Sequence, residues 1–254
     1  MIVHRIILSS SYSTGKRICL HFTDCDERFF SFILGKVKRA YGGKAVPFSI
    51  HMIVTSSKDW KSVVKADPYF SDVVEIKDVD EFVSLLQRDR YLKGVDVARY
   101  ILSKGPCTHT RLEKLTYMCY ADYFCQYGQR LFEDKIYAFK LGPVVESVYR
   151  EYSVHSRMHP GEWIRYDDDM DDDIMHDEKN RMPIKSRILF SEDGQRKLRS
   201  IDRTLERYHM YSAEELVQLT HRERTPWSVT EKGPYQTISD DDIRRYHRYE
   251  TSEW

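Results

Sequence analysis

The chain has little cysteine, no surplus of either charge and no long apolar run. It holds five cysteines in 254 residues: Cys19, Cys25, Cys107, Cys119 and Cys125. The count is odd and no CxxC pair occurs, which speaks against a disulfide framework or a structural zinc site and for a reducing cytoplasm. Lys plus Arg is 40 and Asp plus Glu is 40, so the formal net charge is zero. Bulk electrostatic binding of nucleic acid is therefore not expected, although a local basic patch remains open. Apolar runs are as short as Ile6-Ile7-Leu8, against the roughly 20 residues of a membrane span, so no membrane association is expected. The opening MIVHRIILSS has no charged leader followed by an apolar core and a small-residue cleavage site. It reads as mature protein from Met1.

Nucleotide and metal motifs are missing too. Gly15-Lys16 lacks the upstream glycine of a phosphate loop. His155 and His159 are four residues apart, but Pro160 follows and no glutamate lies between them, unlike a zinc-protease helix. The acidic run from Asp167 to Glu178 spaces its carboxylates like a calcium loop. Asp172, however, stands where the sharp turn needs glycine, so the run reads as a solvated acidic loop. The cysteines have no local base partner, and Cys119 and Cys125 lie on an apolar helix as small hydrophobes. No catalytic residue, metal ligand or cofactor site is expected.

What is present is a globular composition, with 41% hydrophobic and 31% charged residues. Aromatic residues reach 13%, including 18 tyrosines, which suits both cores and protein interfaces. Residues 1 to about 90 alternate β-type runs with helical ones. Ile2 to Ser9 and Arg17 to Phe22 read as strands joined by turn residues. Asp26 caps a helix through Phe30, Ile33 and Val37, ended by Gly42-Gly43. Phe48 to Val54 is a strand, Ser56 precedes a short helix, Val73 to Ile76 is a strand, and Asp78 opens a last helix. The order ββαβαβα predicts a small α/β domain.

From residue 93 helix follows helix. Val95 to Ser103 is the first, and Thr110 caps a long one closed by Gly128. Ile136 to Phe139 is extended, and Gly142-Pro143 opens another helix, with proline in the first turn. Residues 153 to 183 read as a long loop. Ser191 caps a helix through Leu198, Ile201, Leu205 and Tyr208; Ser212 with Glu215, and Ser239 with Asp242, cap two more. The fold class is α+β, with an α/β domain over 1–92 and an all-helical domain over 93–254. On the helix from Gln195, Arg196, Arg199, Arg203 and Arg207 fall on one face. They form a candidate dock for an acidic partner, or a solvated face partly neutralised by Glu192, Asp202 and Glu206.

Two stretches carry a family pattern. One is LEKLTYMCYADYFCQYGQRLFEDKIYAFKLGPVVESVYREY, residues 112–152; the other is LTHRERTPW, residues 219–227. They resemble the Panacea, or SocA-like antitoxin, domain found on phages and mobile elements, in its LxKLxY, YGxxLF, AFKxGPVVxxVYREY and LTHxExxPW blocks. Phe139 departs from the usual tryptophan, and the acidic stretch is an insertion. The resemblance implies an antitoxin of a toxin-antitoxin system that neutralises a protein toxin by direct contact in the cytoplasm, with a host protease as a further partner on an adaptor route. It implies no enzymatic activity. The rivals are a phage or mobile-element counter-defence protein that binds a host immune effector, and an enzyme of unrecognised type. Lys114, Tyr117, Lys140, His221, Glu223 and Trp227 are the motif residues that packing explains least. They either face a partner or form an internal network, with LTHRERTPW anchoring the distal helices onto the helix of Lys114 and Tyr117, and Pro226 stopping the helix before it. Residues 1–92 lie outside the pattern and are the candidate source of partner specificity.

Overall fold

The computed structural model describes residues 1–12, 14–40, 48–166, 184–231 and 235–251. Gly42-Gly43 and the acidic run from Asp167 to Glu178 lie outside the described residues. The described residues divide into two compact units, residues 1–91 and the residues from 92 onward.

In the first unit, β1 (Ile2–Ser11) and β2 (Lys16–Thr23) form an antiparallel hairpin. On the other side of β1 lies β3 (Phe48–Thr55), antiparallel, and β4 (Val74–Ile76) runs parallel to β2, giving the order β3-β1-β2-β4. Side chains alternate across a strand, so each face of the sheet collects its own core. Ile7, Ile18 and Leu20 pack with Phe30, Ile33 and Val37 of α1 (Glu27–Ala40) and with Phe82, Val83 and Leu86 of α3 (Val79–Arg90). Ile6, Leu8 and Cys19 face the other way, onto Val63 of α2 (Trp60–Ala66), Phe70 and Val73. A central strand covered on both faces explains the unbroken Ile6-Ile7-Leu8 run. The caps are local: Asp26 accepts from the Phe29 amide at 2.7 Å, and Asp78 accepts from Asp80 at 2.7 Å. The short helix after Ser56 is capped by Asp59.

The second unit is mostly helical. Its helices are α4 (Gly94–Leu102), α5 (His109–Tyr127), α6 (Glu146–Met158), α7 (Ile184–Leu189), α8 (Gly194–Tyr208), α9 (Ala213–His221), α10 (Pro226–Val229) and α11 (Asp240–Tyr246), with a closing 3-10 turn at His247–Tyr249. Helix α5 is the axis of this unit. Every residue from Leu112 to Phe124 except Asp122 is buried, because α4, α6, α8, α9 and α11 all pack against it. A helix buried all round has no single apolar stripe. Gly128 closes it at φ 65, and Ser212 with Glu215 makes the expected capping box on α9.

Several expectations are corrected. The unit is not all-helical: β5 (Cys107–Thr108) pairs with β8 (Trp163–Ile164), and β6 (Ile136–Phe139) with β7 (Gly142–Val145). Gly142-Pro143 therefore opens a strand, and α6 starts only at Glu146. Gly142 sits at φ 101, which no helix start uses, and two β-branched valines follow it. Helix α6 runs on through Met158, so the segment after residue 153 is not loop from its start. Thr108, not Thr110, caps α5; Asp193 stands at the start of α8, while the Ser191 hydroxyl turns back to the Ile188 carbonyl. Pro226 is the first residue of α10, behind a Thr225 cap, and does not end α9, which stops at His221.

Two glycines separate backbone freedom from close approach. A Cβ on Gly194 would lie 2.1 Å from the Ile188 carbonyl oxygen and 2.4 Å from that of Leu189, whereas one on Gly128 would meet nothing within 4 Å. Gly194→Ala should therefore cost more than about 3 kcal/mol, as an overpacking that only the backbone can relieve. Gly128→Ala should cost only the left-handed penalty of about 1 kcal/mol. Urea denaturation midpoints of the two variants check this order.

Candidate functional site

The family-pattern residues meet at the β6–β7 hairpin. The hairpin leaves carbonyls that need donors, and Lys114 and Trp227, from two distant stretches, supply two of them, with His221 alongside. Lys114 Nζ of α5 donates to the Pro143 oxygen at 2.7 Å, fully buried. His221 Nε2, at the end of α9, lies 3.1 Å from the Lys140 oxygen, and Trp227 Nε1 of α10 donates to the Phe139 oxygen at 2.7 Å. The His221 and Trp227 rings meet tilted at 52°, with a centroid distance of 3.7 Å. Glu113, beside Lys114, accepts the Val145 amide at 2.8 Å. A Cβ on Gly142 would come within 2.7 Å of Thr220 Oγ1 and 2.9 Å of Lys114 Cε, so glycine is required where the hairpin passes between α5 and α9. Burial pushes the Lys114 ammonium down to about 8, against the pull of Glu113 and Glu250. LTHRERTPW thus anchors on the hairpin carbonyls and reaches α5 through them. Lys140 and Glu223 point outward and are exposed.

Tyr117 opens a second, deeper network that the sequence did not announce. Its hydroxyl donates to Glu250 Oε2 at 2.8 Å, and the same carboxylate oxygen lies 2.7 Å from His247 Nδ1. His247 Nε2 meets Asp122 Oδ1 at 2.9 Å. Asp122 also accepts from Thr204 at 2.7 Å and from Arg207 at 3.1 Å. His247 and Glu250 are both 0% exposed. Burial alone would discharge the imidazole, but hydrogen bonds to Asp122 and Glu250, and their charges, raise it to about 9. Burial also opposes ionisation of Asp122, yet the bond to His247, with help from Thr204 and Arg207, holds its carboxyl below the usual carboxylate range. Burial pushes Glu250 upward. The arrangement is a charged imidazolium held between two carboxyl groups inside an apolar unit. It locks the turn after α11 onto α5 and α8.

The arginine face on α8 is partly committed to the same unit. Arg196 donates to Gln129 at 2.8 Å and pairs with Asp193 at 2.6 Å; Arg203 reaches Gln126 at 3.4 Å; Arg207 reaches Asp122. Arg199 is exposed. In the first unit, a buried histidine pair was also illegible in the sequence. His4 Nδ1 and His21 Nε2 are 2.7 Å apart, His4 Nε2 lies 2.9 Å from the Ser57 oxygen, and His21 Nδ1 lies 2.7 Å from Glu75. The Thr55 hydroxyl lies 2.7 Å from the same His4 Nε2. Burial first, then the neighbouring His21, lowers the His4 pKa.

Among the described residues, no three His, Cys, Asp or Glu side chains converge to hold a metal ion, and no helix is long and apolar enough to cross a membrane. Residues 112–228 match the family model described as "Antitoxin SocA-like, Panacea domain". No curated protein and no solved structure matches the chain.

Two measurements follow from these networks. His247 binds its proton more tightly in the folded state (about 9) than unfolded (6.5). Its contribution is therefore complete below pH 6.5 and is lost as pH rises through 9, at no more than about 1.4 kcal/mol per pH unit. Lys114 has the opposite sign, since its depressed pKa makes stability rise with pH between about 8 and 10.5. Unfolding free energy measured between pH 6.5 and 8 should fall in the parent relative to His247→Gln, in which that slope is absent. Trp227 is half-buried against the core, so Trp227→Ala should cost about 3 kcal/mol, near the lower end for large aromatic truncations. Trp227→Phe, which loses mainly the bond to Phe139, should cost about 1 kcal/mol. Thermal melts compare them.

Proposed function

We propose that this chain, whose residues 112–228 form a SocA-like Panacea domain, is an antitoxin that neutralises a protein toxin by direct contact in the cytoplasm. The observation that carries the reading is that match. The geometry supports it, because Lys114, Tyr117, His221 and Trp227 are engaged in holding the module together. A binding protein needs a rigid scaffold and an exposed face, not a reacting group, and the reading contains no catalytic step. Glu223 stands exposed, and His221, at the end of α9, turns its ring to the hairpin.

Discrimination among toxins falls to the unit outside the family match. Specificity is a difference between affinities, and a shared module alone supplies the same contacts to every toxin. Among the described residues β3 stands at an edge of the sheet, with Ile50, Met52 and Val54 48%, 66% and 52% exposed. Such an edge can take a further strand. Delivery of the bound toxin to a host protease is compatible with the same contact.

The test is growth rescue. The chain is co-expressed with each small open reading frame that neighbours its gene and is toxic when expressed alone, with and without residues 1–91, and soluble levels are checked. Rescue by the full chain, with co-elution of the two proteins, is the expected outcome. Rescue without any complex would overturn neutralisation by contact. Full rescue by the second unit alone would move discrimination onto the Panacea domain.

A further inference from the structure

A polar chain crosses the whole sheet of the first unit on one face. Glu75 Oε1 on β4 lies 2.7 Å from His21 Nδ1 on β2, and His21 Nε2 lies 2.7 Å from His4 Nδ1 on β1. His4 Nε2 then reaches the Thr55 hydroxyl on β3 at 2.7 Å and the Ser57 oxygen at 2.9 Å. Thr55 Oγ1 in turn lies 2.7 Å from the Ser62 hydroxyl of α2. The two imidazole planes are nearly parallel, at 12°, with centroids 5.0 Å apart. His4 is fully buried and the His21 side chain almost so. Strand β4 sets only three residues against β2, so the Glu75–His21 contact is a large part of what holds it there.

An N···N contact of 2.7 Å is a hydrogen bond only while it holds one proton. Two imidazoles have four ring nitrogens, so the pair takes at most three protons, and one positive charge, with that bond intact. A fourth proton sets N–H against N–H and puts two buried like charges side by side, which repel. Neither histidine alone would impose such a limit.

The charged groups around the pair are few. Besides Glu75 there is Asp24, in the turn after β2, and Lys58, which pairs with it at 2.5 Å. From α2 the Trp60 ring meets His21 at 5.1 Å, while Lys61 and Lys65 are exposed. His51, the other histidine of β3, packs on the Tyr69 and Phe70 rings. Burial first, then His21, holds the His4 pKa below its ordinary 6.5, against the Ser57 carbonyl and Asp24. With the folded value depressed, the unfolded chain takes up the proton first. The stabilisation is therefore whole above pH 6.5 and is lost as pH falls below it.

We propose that His4 and His21 form an acid-operated latch of the first unit. With three ring protons or fewer it ties β4 and the Ser57 turn to the β1–β2 hairpin; a fourth proton, taken from solvent, lets both go. The latch rests on the first unit alone and not on the antitoxin reading.

The test uses the full chain labelled with nitrogen-15 in histidine. Its ring nitrogens are followed by long-range proton–nitrogen NMR between pH 8 and 5, the range in which histidine titrates. Amide hydrogen exchange in β4 and α2, corrected for the intrinsic rate, is measured alongside. The expected result is that His4 becomes doubly protonated only below pH 6.5, and that protection in β4 and α2 falls at least tenfold over the same step. His4→Gln has one ring and no N···N bond to overfill, so its protection should stay flat across the range. His51→Gln should keep the parent's transition. Double protonation of His4 at or above pH 6.5, or protection unchanged while both rings are doubly protonated, overturns the latch. So does an acid transition that persists in His4→Gln. Should that variant not fold, the parent titration decides alone.

Discussion

The second unit depends on the burial of charge along one helix. Helix α5 takes Glu113, Lys114 and Tyr117 out of water and leaves Asp122 only slightly accessible. An unpaired ion in such surroundings is prohibitive, so the rest of the unit is arranged to meet these groups. The hairpin offers a carbonyl to Lys114 and an amide to Glu113; α8 offers Thr204 and Arg207 to Asp122; the turn after α11 offers His247 and Glu250. Each peripheral element therefore has one position in which its polar group is satisfied and few others. Buried polar networks of this kind give little net stability but exclude alternative packings.

The same economy explains the family pattern. Its two stretches are far apart in sequence, yet both end on the hairpin carbonyls, Lys114 from one side and His221 with Trp227 from the other. A pattern that describes a scaffold can persist while the faces used for recognition vary. That agrees with the proposal that recognition falls to exposed residues outside it, such as those of β3 in the first unit.

Much of the architecture was legible in the sequence because its causes are local. Period-two and period-3.6 apolar spacing marked the strands and helices of the first unit, and Asp26, Asp78, Ser212 and Ser239 cap the helices they precede. The hairpin was not legible. Gly-Pro followed by two valines suits a helix start or a strand, and the choice is made by Glu113 and Lys114, which approach from α5. The buried acid–histidine network was hidden for a similar reason, since His247 lies 125 residues from Asp122 and Glu250 lies 133 from Tyr117. One trace of it existed: Asp122 is an acid among the mostly aromatic and aliphatic residues of the second half of the long helix. The arginine face was read from spacing alone, and spacing does not reveal that Gln126, Gln129 and Asp122 stand opposite it.

The separation of Asp122 from His247 also sets an order of events during synthesis. Translation adds about 5–20 residues per second, so the 125 residues between them take roughly 6–25 seconds to appear. Throughout that interval α5 can form as a helix, but the imidazole that meets Asp122 has not been made. The module therefore closes late and as a whole, and until it does it exposes the long aromatic helix to whatever else in the cell binds apolar surface.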